Sequence, residues 1–280
     1  MAESQKIRPS AVAGKFYSGK KLELEREVAM YLENAPDIDI PGQIIGIVAP
    51  HAGYMYSAGV AARAYRQIID TNIDIVAVVS PSHSEYFTEI SVYDGFAYET
   101  PLGNVPVARD LAEDLADLNP QIILSEKGHR FDEHALEVQL PLLQKVIDNF
   151  TLLPIVIGEQ NHDNLETLSK ALGTVLHNRN ALIVASSDLS HFYDTHKAEI
   201  LDSVVLNDIK NFNEDDLFAH LNSGDCEMCG GGPVVATMKA CKLLGADQSR
   251  VLKYRTSGDI TGDQREVVGY LSAVFYKSNA

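Results

Sequence analysis

The chain has 280 residues, 45% of them hydrophobic and 22% charged, which excludes a disordered or collagen-like protein. Against 23 Lys and Arg stand 39 Asp and Glu, a formal net charge of −16. That sign disfavours nucleic acid and anionic membrane as partners, because the phosphate attraction that dominates such binding turns into repulsion. Three cysteines, an odd and low count, give no disulfide framework and imply free thiols in a reducing cytoplasm. The opening MAESQKIRPS reads as no apolar leader, and no run nears the roughly 18 apolar residues that span a bilayer.

Without a linker, repeat or low-complexity tract, residues 1–280 read as one domain. In chain order, 44–49 (IIGIVA) predicts a buried strand, 57–69 a helix, and 73–79 (IDIVAVV) a second buried strand. Residues 89–93 and 97–100 predict an edge or hairpin region, and 107–118 an amphipathic helix. The stretch 132–147 repeats apolar residues at helical spacing (Leu136, Leu140, Leu143, Ile147), with Pro141 expected to kink or split it. Strands at 152–157 and 181–185 alternate with helices at 164–176, 197–210 and 233–244. Strands at 251–254 and 267–276 close the chain. Such alternation predicts an α/β fold: a central, largely parallel or mixed sheet with helices on both faces.

Of the 9 histidines, three follow predicted strands: His51 in APHAGY, His83 in SPSH and His191 in SSDLSHF. Ligands of open α/β sheets bind beyond the carboxyl ends of the strands, so the three are candidates for one pocket. Imidazole is both the commonest metal ligand and the acid/base of neutral pH. Each taken alone is as well explained as a polar loop residue. Cys229, in CEMCGGGP, precedes a predicted helix whose amino end favours the thiolate, the form that binds metal. The glycines after it allow close backbone approach to a pocket. Cys226 and Cys229 form one C-x-x-C, and with no second pair a four-cysteine zinc site is excluded. Cys241 reads as core.

Asp188, three residues before His191, is placed to orient that imidazole or to serve as a cap or turn residue. His134 and Glu137, in DEHALE, rank lower, because acids in a first helical turn need no functional reason. Tyr54, Tyr56 and the turn Leu102-Gly103-Asn104 are further candidates for pocket walls or plain surface. The G-x-G-x-x-G, Walker and G-x-S-x-G signatures are missing from the sequence, which lowers nucleotide and α/β-hydrolase chemistry.

These motifs, in this order, resemble the Memo family nearly end to end. The match runs through RPSAVAGKFY (8–17), APHAGY (49–54), PSH (81–83), EHALE (133–137) with QLP (139–141), SDLSH (187–191) and MCG (228–230). The resemblance implies a fold similar to class III extradiol dioxygenases, which use non-haem Fe(II). It also implies His51, His83 and Cys229 as metal ligands, with His191 at the place of the dioxygenases' acid/base and Asp188 beside it. The sequence departs from the dioxygenases in carrying a cysteine where they complete the site with a carboxylate, and from the family in Ala135, where Ser is frequent. Two imidazoles and a thiolate suit copper, zinc or iron and not Mg²⁺ or Ca²⁺. The family analogy favours iron or copper, and raw affinity copper or zinc.

Two functions follow as expectations: a metal-dependent oxidoreductase, or a non-catalytic module binding a peptide or small ligand on the same fold. A narrower one is copper sequestration, or redox sensing through Cys226 and Cys229. Prokaryotic relatives occur beside a radical SAM protein, which the resemblance extends here as a partner.

Overall fold

A computed structural model describes residues 6–130 and 132–279; the first five residues of the opening stretch read above lie outside it. The first elements are β1 (Ile7–Arg8), α1 (Lys21–Glu33), β2 (Gly42–Ala49), α2 (Tyr54–Tyr65) and β3 (Ile75–Pro81). Next come β4 (Ile90–Tyr93), β5 (Ala97–Thr100), β6 (Gly103–Pro106), α3 (Arg109–Asp117) and β7 (Ile122–Ser125). The middle of the chain supplies α4 (Leu140–Val146), β8 (Thr151–Ile157), α5 (His162–Val175), β9 (Ala181–Ser186) and β10 (His191–Tyr193). The last part runs α6 (Thr195–Lys210), α7 (Glu214–Ser223), α8 (Gly231–Leu243), β11 (Gln248–Thr256), α9 (Gly258–Thr261) and β12 (Val267–Ser278).

The large sheet has the order β10-β12-β2-β9-β3-β8-β4-β7, with β11 also on β12. Its centre, β2-β9-β3-β8, is parallel. Antiparallel pairs β12–β2 and β8–β4 flank that centre and make the sheet mixed. The parallel strands are the continuous apolar runs of the sequence because both faces are covered. In β3, Ile75, Ala77 and Val79 join the core under α3, α5, α6 and α8. Val76 and Val78, pointing the other way, join the core under α1, α2 and α4.

Three expectations change. Residues 90–93 form an inner strand, β4, between β8 and β7, while 97–100 hairpins with β6 in a separate small sheet with β1. Pro141 does not kink a long helix. It sits in the first turn of α4, preceded by one 3₁₀ turn at Glu137–Gln139, where its missing N–H costs nothing. Strand β11 is longer than the 251–254 predicted, because only part of it is apolar. Among the described residues no helix is long and apolar enough to cross a membrane.

Candidate metal centre

Paired ends of the parallel strands build the site. Ala49 of β2 lies opposite Ser186 of β9, and Val79 of β3 opposite Ala185. His51 follows β2 by two residues and His83 follows β3 by two, so they emerge on either side of the β9 exit. Three bonds carry the β2–β9 pairing and its consequences past the strand ends. Ser187 N donates to Ala49 O (3.1 Å), His51 N to Asp188 Oδ1 (2.8 Å), and Cys229 N to Asp188 O (3.3 Å). Gly230 is required for that last docking: a Cβ there would lie 2.3 Å from Ser186 O. Gly230 N then donates to Ser187 Oγ (2.9 Å).

A ligand atom from each of His51, His83 and Cys229 falls within 4.8 Å of the others, and Cys229 Sγ stands 3.2 Å from His51 Nε2. Tetrahedral coordination at the usual metal–nitrogen and metal–sulfur lengths needs donors about 3.3–3.6 Å apart, so the set fits a metal ion with small adjustments.

Hydrogen bonds assign both imidazole tautomers. The Ser186 hydroxyl has one proton, which goes to Ala135 O (2.6 Å), while Gln139 Nε2 donates to Ser186 Oγ (2.7 Å). Its contact with His51 Nδ1 (3.0 Å) is therefore one in which the ring N–H donates. That leaves the Nε2 lone pair facing Cys229. His83 Nδ1 meets Glu133 Oε1 (3.2 Å), an acceptor, so its Nε2 is likewise bare.

Glu133 is the residue that sequence reading passed over. It is buried, and its oxygens take the backbone N–H of His83 (2.6 Å), Ser84, His134 and Ala135 as well as the His83 ring. Burial alone would raise its pKa, but these donors outweigh it and hold the carboxyl down to about 2. His134 stacks on His83 at 4.8 Å and forms a second group with His83 and Glu133 within 4.8 Å. Because the Glu133 oxygens are already taken by N–H donors, that second group is support for His83 and not a second cation site.

Glu137 is buried for another purpose. It pairs with Arg8 (2.5 Å) and accepts from Tyr17 Oη (2.6 Å) and the amides of Ala11 and Val12, tying the amino-terminal segment to the domain.

Asp188 does not steer His191. Its carboxylate is spent on the amides of His51 and Ala52, and burial, outweighing those donors, pushes its pKa up to about 7. The thiolate expected of Cys229 belongs to the metal-bound form. Burial, reinforced by Asp188, pushes that thiol up to about 12, against the amides of Asp188 and Gly230 and the Ser187 hydroxyl. The protein alone therefore holds S–H, and a bound cation would displace that proton. Burial also lowers His51 well below the imidazole norm, with the neighbouring His83, His134 and His191 adding to it.

His191 and Cys229 both line an open cavity of about 410 Å³ that also takes in Cys226. Burial lowers the His191 pKa, so its ring is neutral at pH 7. Of the other candidates, Tyr54 is core, its hydroxyl donating to Val138 O (2.8 Å). Tyr56 borders a different cavity, beside Phe16. Leu102 and Asn104 line another cavity, of about 660 Å³, at the amino ends of β3 and β8, where no histidine or cysteine contributes. Cys241 is fully buried, as its helical position suggests.

A family model described as Memo-like protein matches residues 8–274. A MEMO1 family protein of Methanosarcina mazei is 36% identical over 272 residues, covering 96% of this chain and 98% of its own. MEMO1 family proteins of Methanothermobacter thermautotrophicus (34%; 94% and 98%) and Aquifex aeolicus (35%; 96% and 99%) match to the same extent. Among solved structures, an uncharacterized protein of Escherichia coli K12 shares the fold at a TM-score of 0.54 and 13% identity, over 82% of this chain and 99% of that one. On the family match and the end-to-end identity to these relatives, the chain belongs to the Memo-like protein family.

Proposed function

We propose that this protein holds a redox-active metal ion, iron or copper, on His51, His83 and Cys229 and acts as an oxidoreductase on a small ligand admitted beside His191. The observation that carries the reading is the tautomer assignment. Ser186 and Glu133 hold the Nδ1 protons of two imidazoles, so both Nε2 lone pairs are offered in the space where Cys229 Sγ lies. Such an ion would supply electron transfer and an open coordination position.

The chain's own residues do the rest. His51 and His83 bind through Nε2, and Cys229 binds after giving up its proton. Asp188 fixes the His51 and Cys229 backbones. His191, neutral and on the cavity wall, holds or releases a proton at its ring nitrogen for whatever ligand lies there.

Metal analysis of anaerobically purified protein tests the reading. About one ion per chain is expected in the wild type, with near-complete loss in His51→Ala and Cys229→Ser. Equal, negligible metal in all three would overturn it. Titrating the chelated protein with Co(II) adds a signature: a thiolate-to-metal absorption band and release of about one proton per ion at pH 7, both lost in Cys229→Ser.

A further inference from the structure

The geometry points to a small protonated amine as the ligand of the 410 Å³ cavity beside Cys229: an ammonium group seated on Glu227, with an apolar, ring-sized body against Phe218, Leu221 and Met228. This extends the reading above from the metal to its ligand, and its test does not require the metal.

The cavity's polar inventory is one-sided. Its wall has no lysine or arginine, and Glu227 is its only carboxylate. Tyr193 Oη donates to Glu227 Oε1 (2.6 Å), which fixes the side chain and leaves the second oxygen to accept. Asn222 donates through Nδ2 to Phe218 O (2.9 Å), so Oδ1 is its remaining acceptor. Gln160 has no amide hydrogen-bonding end to spare: its Nε2 donates to Cys229 O (2.9 Å) and its Oε1 accepts from Gly232 N (2.7 Å).

The amino end of α8, which would ordinarily attract an anion, is also closed off. Gly231 N goes to Met228 O, Gly232 N to Gln160, Val234 N to Gly230 O, and Pro233 has no N–H. Apart from the neutral His191 ring and the two thiols, what the wall offers is acceptors, one of them charged, and apolar surface, which is complementary to a cationic donor and not to a carboxylate or phosphate.

The field agrees. The Cys226 thiol on the same wall is pushed up to about 12, first by burial and then by Asp208, Asp225, Asp202 and Glu227, all acids. The net charge of −16 draws cations toward the surface as a whole. At about 410 Å³ the cavity sits at the low end of small-molecule sites, enough for a single ring and a short arm.

Three probes with one body and different charge decide the matter at pH 7: 2-phenylethylamine, 2-phenylethanol and phenylacetate. Binding is followed by NMR on protein carrying ¹³C-methyl methionine. Among the described residues Met228 is the only methionine that borders the cavity, and its signal is assigned with Met228→Leu. Both chelator-treated and zinc-loaded protein are titrated. In the chelated protein the amine is expected to shift the Met228 signal and bind about five-fold tighter than the alcohol, with the acid weakest. Glu227→Gln should remove the amine's advantage while leaving alcohol binding in place, and Asn222→Lys, at an exposed position, should bring the acid above the amine.

The proposal is overturned if phenylacetate binds as tightly as the amine, if Glu227→Gln leaves the amine unaffected, or if no probe moves the Met228 signal. An amine preference confined to the zinc-loaded protein would mean coordination by the metal and would equally overturn it. If the metal analysis finds no ion on the protein, the metal reading falls while the chelated titration still decides this one.

Discussion

Glu133 and Glu137 stand four residues apart in one motif, both buried, and do opposite jobs. Glu137 is matched by a cation: Arg8 pairs with it, while the same guanidinium also donates to the carbonyls of His129 and Glu133. Glu133 has no arginine or lysine partner and is stabilised by N–H donors and by the ring of His83. One carboxylate fastens a segment to the domain, and the other fastens a ligand to its place. The lesson is that a buried acid in a family motif need not touch the reacting centre, and that its donors tell which role it has.

The largest effect should separate the two at once. Glu137→Gln leaves the Arg8 guanidinium buried against a neutral group and should cost about 3–5 kcal/mol in urea unfolding. Metal affinity per folded molecule should stay within about two-fold, and a larger loss of affinity would erase the distinction drawn here. Glu133→Gln should do the reverse: Co(II) affinity falls by about 10–100-fold, because His83 loses the acceptor that fixes its tautomer. If affinity is unchanged, Glu133 is only structural.

A third measurement sharpens the Arg8 side. His129, whose carbonyl accepts from Arg8 Nε and whose ring meets Tyr98 Oη, is held by burial down to about 3, against 6.5 for an ordinary imidazole. Its folded-state pKa is depressed, so its contribution is whole above about pH 6.5 and is lost as pH falls toward 3. The wild-type advantage over His129→Gln should therefore shrink by up to about 1.4 kcal/mol per pH unit over that window. A pH-independent difference would show that the ring is already charged in the fold.

The smallest effect expected is that of Ser186→Ala. His51 Nδ1 loses a neutral hydroxyl acceptor and not a carboxylate, so Co(II) affinity should drop only a few-fold.

Much of this was legible in the sequence. The four parallel strands were, because a strand covered on both faces must be apolar throughout. So were the positions of His51, His83 and Cys229, since proline and glycine mark where the chain leaves strands and enters a helix. Less legible were elements whose signal is a single stripe. In α1 only Leu24, Val28 and Leu32 are buried, a stripe too thin among charged residues to stand out as a helix. α7 opens with three acids behind an Asn213 cap, a helix start whose apolar stripe, with Leu217 its one buried apolar residue, is too short to predict. The supporting set of Glu133, Ser186 and Gln139 could not be read from sequence, because their long-range partners lie 47 to 135 positions away and only the sheet order brings them together. The proton on Cys229 in the metal-free protein is hidden for a related reason: proximity to a helix start is visible in sequence, whereas its burial against Asp188 is not.

The hydrogen bonds that continue past the ends of β2 and β9 have one more consequence. They attach the His51 and Cys229 backbones to the part of the sheet that opens last, so the amides of His51 and Cys229 should be among the slowest in hydrogen exchange even in chelated protein. Uptake of an ion would then be a substitution on a body already in shape, unlike a zinc finger, whose chain folds only around its metal. Calorimetry should record it with almost no change in heat capacity.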